Sequence, residues 1–406
     1  MTRLLSAAAL VLLSACAGAP ARPARVMSGL DVLEAQGFAP LKGKRVGVIT
    51  NRTGVDAHGR SIVELLATAP GVDLVAVYSS EHGFSATSEK EIIPSDRVKA
   101  GGREIPLYSL FVGNAQRPTP AQLANIDVLV FDIQDVGARF YTYLATMAMA
   151  MESAKEAGLG FYVLDRPNPV TGAIVEGPRV DQPDEVGKDA VAYFDVSTRH
   201  GLTAGEMATL RNSTLGFSDL HIVKLKNWKR AMWFDQTGLP WVPPSPNMPD
   251  LAAATLYPGI ANLEFSNLSV GRGTDSPFGW IGAPWMDAAA LKGRMDEALI
   301  EGVDFSVETR VPSKDKYAGE SCPGLRIVVT DREAARPLRV FAALAAALRD
   351  TQPDFKLDWN HSRRLIGREK FFELYSSGAT GAEMARLFEA DAAEFEKTRT
   401  PFLLYR

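Results

Sequence analysis

The chain has 406 residues, of which 46% are hydrophobic, and its 44 basic and 48 acidic side chains give a formal charge of −4. This length permits about two domains with sizeable apolar cores. Basic residues are not in excess, which argues against nucleic acid as a partner. The two cysteines are Cys16 and Cys322, and we expect no disulfide within the mature chain.

The first residues resemble a bacterial lipoprotein signal. Arg3 precedes an apolar run at residues 4–13, which is too short to cross a membrane as a helix. The run ends in Leu-Ser-Ala-Cys at residues 13–16, where small residues lead to a cysteine in the position that lipidation requires.

We therefore predict that residues 1–15 are removed as a signal peptide. Lipidated Cys16 then begins a tether at residues 16–27, which is rich in proline, alanine and arginine and unable to pack a core. The mature protein would face the periplasm from the inner or outer membrane of a Gram-negative bacterium.

Beyond the tether, apolar segments of strand length alternate with helical segments. Strands are predicted at residues 45–50, 73–79, 105–110, 127–134, 159–165 and 221–228. Helices are predicted at residues 61–69 and 140–157, and the sequences SIVE (61–64) and TAGE (203–206) have the form of capping boxes. This order predicts an α/β fold with a Rossmann-like parallel sheet domain over residues 28–250.

Residues 251–406 are predicted to form a second, smaller α/β domain that closes one side of a cleft. Helices are expected at 288–300 and 337–349, strands at 303–309 and 325–330, and a further helix after the capping box at Thr380.

Polar residues follow four successive predicted strands. They are Asn51 and Arg52, then Glu81 and His82, then Asp132, Gln134 and Asp135, and finally Asp165, Arg166 and Asn168. The carboxyl ends of parallel strands share one edge of a sheet, and open α/β sheets bind ligands there. We therefore predict a functional site at this edge.

Several kinds of chemistry find no motif in the sequence. There is no G-x-G-x-x-G, no P-loop and no G-x-S-x-G, so neither a nucleotide nor a serine nucleophile is expected. The chain has five histidines and no H-E-x-x-H. We therefore predict neither a metal nor a cofactor, although a cation held by His82, Asp132, Asp135 and His200 remains an alternative.

Glycoside hydrolysis fits these residues best. It needs a protonated carboxylic acid at the leaving oxygen and usually a second carboxylate about 5–10 Å away. Glu81 with Asp132 or Asp135 could supply such a pair, because close carboxylates raise one another's pKa and keep one protonated. Sugar sites also need flat aromatic faces. Five aromatic residues in Pro/Gly-rich loops are available, and we expect at least half of them to be packing residues: Trp241, Tyr257, Phe278, Trp280 and Trp285.

Six ordered segments resemble the NamZ-like exo-β-N-acetylmuramidase family over residues 28–406. They include SSEHGF (79–84), FDIQDVGARFYTY (131–143), LDRPNPVTG (164–172), HGLTAGEM (200–207), PPSPNMP (243–249) and NLEFSNLSVGRGTDSPF (262–278). The resemblance implies two α/β domains with the active site between them. It also implies release of N-acetylmuramic acid from the non-reducing end of peptidoglycan fragments.

The resemblance assigns the catalytic carboxylate to Glu81, beside His82. The family's flanking Pro and Arg-Gly are replaced here by Ser80 and by Ser85-Ala86. The resemblance also implies that further polar residues of these motifs line the cleft: Arg139, Tyr141, Glu176, His200, Asn247, Glu264, Asn267 and Arg272.

Two assignments stay open at this point. Asp132, Asp135, Glu176 and Glu264 are all eligible as the group opposite Glu81, since a 2-acetamido sugar can supply its own nucleophile. The lactyl carboxylate of N-acetylmuramic acid favours a bidentate arginine. The candidates are Arg52, Arg139, Arg166 and Arg272, and Arg166 is also a candidate structural partner of Asp165.

The alternative function is that of a solute-binding lipoprotein for muropeptides or other sugars.

Overall fold

The computed structural model describes residues 25–90, 92–111, 116–182 and 186–406. The predicted signal peptide, Cys16 and most of the tether lie outside these described residues. Among the residues that are described, no helix has the length and apolar character needed to span a bilayer.

The larger unit is a sheet of seven described strands in the order β3-β4-β2-β1-β5-β6-β7. The strands are β1 (Arg45–Thr50), β2 (Asp73–Ser79), β3 (Asp96–Ala100), β4 (Arg103–Ser109), β5 (Val128–Asp132), β6 (Gly160–Leu164) and β7 (Leu220–Val223). All pairs are parallel except β3 with β4. Every residue of β5 and β6 is buried, because helices cover both faces of the sheet.

The helices of this unit are α1 (Gly29–Ala35), α2 (Ile62–Thr68), α3 (Pro120–Leu123), α4 (Tyr143–Glu156) and α5 (Ala204–Leu215). The predicted capping box that starts α5 is confirmed, since Thr203 and Glu206 bond each other's backbone amides. The predicted box at α2 is wrong. Ser61 caps the amide of Val63, but Glu64 accepts a hydrogen bond from the Gly101 amide instead.

The smaller unit has a three-stranded antiparallel sheet in the order β8-β10-β9. Its strands are β8 (Trp280–Gly282), β9 (Val303–Val307) and β10 (Gly324–Val329). Its helices are α6 (Leu251–Ile260), α7 (Ala288–Glu297), α8 (Pro337–Thr351), α9 (Trp359–Ile366), α10 (Glu369–Ser376) and α11 (Gly381–Arg399). Short 3₁₀ turns lie at Ala39–Leu41, Phe234–Gln236, Ala261–Leu263 and Thr400–Phe402. The predicted fold class, a Rossmann-like sheet with a smaller C-terminal α/β part, is confirmed.

Helix α8 is the centre of the smaller unit. Its apolar face is buried, and Phe341 stacks on Phe371 and Phe388 with ring centroids 5.3 and 6.4 Å away. Helix α6 crosses the start of α8 so closely that a Cβ at Gly259 would lie 2.0 Å from the Pro337 carbonyl oxygen. The contact therefore requires glycine for space, even though glycine weakens a helix.

The last residues of the chain return to the larger unit. The buried guanidinium of Arg399 donates hydrogen bonds to the carbonyls of Gly172 and Gly201 at 2.9 and 2.8 Å. The hydroxyl of Tyr405 donates to Asp165 Oδ2 at 2.5 Å. The C-terminal segment thus fixes the smaller unit against the carboxyl edge of the large sheet.

Replacing Gly259 by alanine tests the α6–α8 contact. We expect Gly259→Ala to lower the free energy of unfolding by about 1–3 kcal/mol, because the added methyl must push backbone apart. The matched control is Gly293→Ala in α7, where an added Cβ meets nothing within 4 Å. That variant should gain up to about 1 kcal/mol from helix propensity. Chemical denaturation of both variants provides the measurement, and equal stabilisation by the two would contradict this packing.

Candidate active site

A cleft of about 340 Å³ lies between the carboxyl edge of the large sheet and the smaller unit. The larger unit lines it with Glu81, His82, Glu89, Lys90, Phe111, Phe140, Tyr141, Thr142, Tyr143 and Val191. The smaller unit lines it with Tyr257, Glu264, Phe265, Arg272, His361, Arg364 and Leu365. Both units therefore contribute carboxylates, cations and aromatic rings to one space.

A larger depression of about 670 Å³ lies between α7, α8 and α11. Alanines and charged residues line it, and none of its lining residues is aromatic. Several of its arginines are already in ion pairs, such as Arg339 with Glu389. Convergent carboxylates and aromatic faces make the smaller cleft the better candidate site.

Glu81 lies two residues after the end of β2 and reaches the residue that precedes α4. The hydroxyl of Thr142 donates a hydrogen bond to Glu81 Oε2 at 2.5 Å. No described residue forms a hydrogen bond with Oε1, so this oxygen is available to a ligand.

His82 fixes the loop that follows Glu81. Its φ is +67°, and its Nδ1 lies 2.7 Å from the carbonyl oxygen of Ser88. A carbonyl can only accept, so Nδ1 carries a proton and Nε2 is the nitrogen left for other contacts. The imidazole therefore holds the loop and also lines the cleft.

Glu89 in the same loop bridges the two units. Both of its carboxylate oxygens lie 3.0 Å from Lys314 Nζ, and Asn247 Nδ2 donates to Oε1 at 2.8 Å. Burial alone would raise the pKa of Glu89, but the bonds from Lys314 and Asn247 outweigh it and lower the pKa. Glu89 is thus an ionised bridging group, which makes it a poor proton donor.

Glu264 is the carboxylate that the smaller unit contributes to the cleft. It forms an ion pair with Arg272, which also lines the cleft. Burial raises the pKa of the Glu264 carboxyl, and the Arg272 guanidinium opposes that rise. Lys316 Nζ donates to the carbonyls of Glu264 and Ser266 at 2.5 Å and so fixes the backbone here.

Aromatic side chains form the floor between these carboxylates. Tyr141 packs edge-on against Tyr143 and Tyr257, with ring centroids 4.8 and 5.7 Å away. Burial raises the pKa of Tyr257 well above its usual range, and the nearby carboxylates of Glu264 and Glu81 add to this. Its hydroxyl is therefore a neutral donor. Phe278 and Trp280 are fully buried, in line with the packing role expected for half of the loop aromatics.

Asp132 lies outside the cleft, under the sheet edge. Its two oxygens face Arg166 at 2.5 and 2.9 Å, and both side chains are buried. Burial raises the pKa of Asp132 and Arg166 opposes the rise. Arg166 thus has the structural role considered for it. Its guanidinium pairs with Asp132, whereas Asp165 accepts a hydrogen bond from its backbone amide at 2.9 Å.

Asp165 is also a structural group. Its carboxylate accepts hydrogen bonds from the Thr203 hydroxyl, the Gly205 amide and the Tyr405 hydroxyl. Burial raises its pKa to about 6. Asp165 therefore joins the start of α5 to the C-terminal segment, away from the cleft.

Asp135 and His200 are buried behind the cleft floor. Asp135 Oδ2 accepts from the Gly137 amide at 2.6 Å and lies 3.8 Å from His200 Nε2. Burial raises the pKa of Asp135 to about 7 and lowers that of His200 to about 3. His200 is thus neutral near pH 7, with Nδ1 accepting from the Leu202 amide and the proton on Nε2.

Arg139 joins the two units. Its guanidinium donates to the carbonyls of Pro178 and Val196 on one side and of Leu365 and Ile366 at the end of α9 on the other. Burial lowers its pKa to about 10. These four carbonyls occupy the terminal nitrogens, so the structure does not bring Arg139 to a cleft ligand.

Glu176 likewise holds the smaller unit. Its Oε1 accepts from the amides of Leu338 and Arg339 in the first turn of α8, at 2.6 and 3.3 Å. Arg199 lies 3.8 Å from Oε2, and burial raises the pKa of Glu176 to about 7. A helix N-terminus favours such a carboxylate, which explains its position outside the cleft.

The remaining predicted residues shape loops near the sheet edge. Four amide side chains form hydrogen bonds with nearby groups of the protein. Asn51 accepts from the amide and hydroxyl of Thr53, and Gln134 donates to the carbonyls of Asp135 and Pro167. Asn168 donates to the carbonyl of Leu202, and Asn267 donates to that of Asp354. Arg52 donates through Nε to the Pro243 carbonyl at 2.7 Å. These side chains position backbone and do not line the cleft.

Of the predicted site residues, the cleft brings together Glu81, His82, Tyr141, Glu264 and Arg272. Several lining residues were missed. Phe265 follows Glu264 within a quoted motif and could have been found from it. His361 and Arg364 lie on α9, for which the sequence carries no motif. Among the described residues, no cluster of three or more histidine, cysteine or acidic side chains is arranged to hold a metal ion.

Two family profiles match the chain in succession. The N-terminal profile of the exo-beta-N-acetylmuramidase NamZ matches residues 46–252, and the C-terminal profile matches residues 255–405. The chain is also 38% identical over 390 residues to the peptidoglycan beta-N-acetylmuramidase NamZ of Bacillus subtilis strain 168. That alignment covers 95% of this chain and 92% of the relative.

Two crystal structures of DUF1343 family proteins from Bacteroides fragilis share the fold. The first superposes with a TM-score of 0.83 at 33% identity, and the second with a TM-score of 0.74 at 27% identity. Each alignment covers 94% of this chain and 99% of the other. The likeness therefore includes both units and the cleft between them.

Proposed function

The chain belongs to the family of the exo-β-N-acetylmuramidase NamZ, and from this premise we propose that it releases N-acetylmuramic acid from the non-reducing end of peptidoglycan fragments. Glu81 is the proton donor to the glycosidic oxygen. The observation that carries this proposal is the cleft, in which Glu81 from the sheet edge shares one space with Glu264 and Arg272 from the smaller unit.

Glu81 has the contacts that a general acid needs. Thr142 fixes one carboxylate oxygen and leaves the other without a described hydrogen-bond partner. A proton on that oxygen can pass to the leaving group as the glycosidic bond breaks, and such transfer accelerates reactions by about 10²–10⁴-fold. The aromatic floor keeps water away from the bond and preserves the effect of the nearby charges.

Glu264 is the second carboxylate of the reaction. Of Asp132, Asp135, Glu176 and Glu264, it alone lines the cleft, whereas the others bind buried groups of the protein. Burial raises the pKa of Glu264, and the ion pair with Arg272 opposes that rise by favouring the charged form. A carboxylate there can stabilise positive charge at the anomeric carbon, or direct the acetamido group or a water towards it.

Carboxylate-to-amide variants test both roles. With a β-linked N-acetylmuraminide substrate, Glu81→Gln and Glu264→Gln should each lower kcat by about 10²–10⁴-fold, because one loses its proton and the other its charge. Substrate binding, followed by calorimetry, should persist. The matched control is Glu89→Gln, the third cleft carboxylate, which should keep kcat within about tenfold because an exposed ion pair contributes little.

Two outcomes would contradict the proposal. Full activity of Glu81→Gln would remove its catalytic role. Tight sugar binding by the wild type with no release of N-acetylmuramic acid would favour a solute-binding lipoprotein. The anomer formed first, read by NMR, separates retention or substrate assistance from inversion.

We also propose that Arg272 recognises the lactyl carboxylate that distinguishes N-acetylmuramic acid from N-acetylglucosamine. Arg139 and Arg166 are committed to buried partners, and Arg52 does not line the cleft. Arg272 lines the cleft, uses Nη2 for Glu264, has Asp315 Oδ2 3.8 Å from Nε, and has no described acceptor at Nη1. A guanidinium with a free terminal nitrogen suits a carboxylate ligand.

Comparing two substrates isolates this role. Arg272→Met also disturbs Glu264, which lowers the turnover of any substrate, so the informative quantity is the ratio of kcat/KM for a muraminide to that for the matching glucosaminide. We expect this ratio to fall by about 10–100-fold, the value of a charge-assisted hydrogen bond. Arg52→Met should leave it unchanged. Equal losses on both substrates would remove the lactyl assignment.

Finally, we propose that Cys16 carries a lipid that anchors the protein to a membrane facing the periplasm. The support is the sequence alone, with an apolar run ending in Leu-Ser-Ala-Cys and followed by a proline-rich tether. This arrangement would leave the catalytic units free to meet cell-wall fragments.

Changing the lipidation residue tests the anchor. In Gram-negative cells, the wild type should sediment with membranes, whereas Cys16→Ser should lose lipid labelling and lose at least most of its membrane association. The control is Cys322→Ser, which should stay with membranes because Cys322 is buried in the folded unit. Absence of lipid labelling from the wild type would exclude a lipid anchor.

A further inference from the structure

An exposed aromatic pair lies at the mouth of the cleft. Phe265 follows Glu264 and is 38% exposed, and His361 on α9 stacks on it with ring centroids 5.2 Å apart and planes at 26°. Both residues line the cleft. Packing within the protein does not explain why the Phe265 ring is exposed beside the Glu264 carboxylate.

The pair is held rigidly by two crossing segments. The Asp358 amide donates to the Phe265 carbonyl at 2.7 Å, and the Lys356 amide donates to Asn267 Oδ1 at 2.8 Å. His361 Nδ1 bonds Asp358 Oδ2 at 2.8 Å, which fixes the imidazole plane. A preorganised surface of this kind costs little side-chain entropy when a flat ligand settles on it.

Burial increases from the mouth inwards. The His361 side chain is 55% exposed and Phe265 is 38% exposed, whereas Tyr141 and Tyr257 on the floor are only 7% and 9% exposed. An exo-acting enzyme holds the terminal sugar at the inner end of its cleft, and the rest of the substrate leaves through the mouth. The aromatic pair therefore lies where the next sugar must pass.

We propose that Phe265 and His361 form the binding platform for the sugar on the reducing side of the cleaved bond, a β-linked 2-acetamido pyranose. The axial hydrogens of such a ring form an apolar face that packs on an aromatic ring, as apolar ligand surfaces do in lined pockets. This inference rests on the proposed function, since it requires the terminal sugar to occupy the inner cleft.

Two substrates with the same terminal sugar test the platform. One is the disaccharide of N-acetylmuramic acid β-linked to N-acetylglucosamine, and the other is methyl β-N-acetylmuraminide, which has no second ring. Phe265→Ala should lower kcat/KM for the disaccharide by about 3–10-fold, the value of one aromatic contact. It should leave kcat/KM for the methyl glycoside within about twofold.

Further variants separate stacking from folding. Phe265→Trp should restore the disaccharide value, because a larger ring still stacks. Leu299→Ala, which truncates an 85% exposed apolar residue outside the cleft, should affect neither substrate. Equal losses on both substrates, or no loss on either, would overturn the platform. Failure of the wild type to release N-acetylmuramic acid from either substrate would instead overturn the proposed function.

Discussion

The contact between Arg139 and the end of α9 holds the two walls of the active-site cleft against each other. Arg139 immediately precedes the segment Phe140–Tyr143, which lines the sheet side of the cleft. Its guanidinium binds the carbonyls of Leu365 and Ile366, so that α9 forms the opposite wall. A guanidinium buried without a carboxylate partner is costly, and its hydrogen bonds to four carbonyls offset that cost. Arg139 thus sets the separation of the two walls together with Glu176 and Arg399, which join the same two units.

The two carboxylates proposed for catalysis come from different units, so their separation depends on the contact between Arg139 and α9. Glu81 extends from a strand end and is oriented by Thr142, whereas Glu264 is oriented by Arg272 and by the Lys316 contact to its backbone. Glu89 and Lys314 add an ion pair across the opening. That pair is partly exposed, so it adds little stability. The buried contact between the two units therefore lies at Arg139, and the partly exposed ion pair of Glu89 with Lys314 lies at the opening.

The sequence was enough to predict the parallel sheet, because β5 and β6 are uninterrupted apolar runs between helical segments. It did not tell which polar residues at the strand ends face the cleft. Asp132 and Glu81 both follow buried strands, yet Asp132 turns under the edge to Arg166. Strand periodicity predicts which side chains lie at the edge of the sheet. Contacts with residues more than thirty positions away in the sequence, such as that of Asp132 with Arg166, decide which of them face the cleft. The wall formed by α9 had no local signal, because its position depends on long-range packing.

The proposed mechanism requires Glu81 to be the proton donor. The change in hydrolysis rate with the pKa of the leaving group tests this directly. A series of aryl β-N-acetylmuraminides with leaving groups of falling pKa is hydrolysed by the wild type and by Glu81→Gln. We expect the rate of the wild type to change little with the leaving-group pKa and that of the variant to change steeply, since a good leaving group departs without a proton. The same slope for both enzymes would show that Glu81 does not protonate the leaving oxygen.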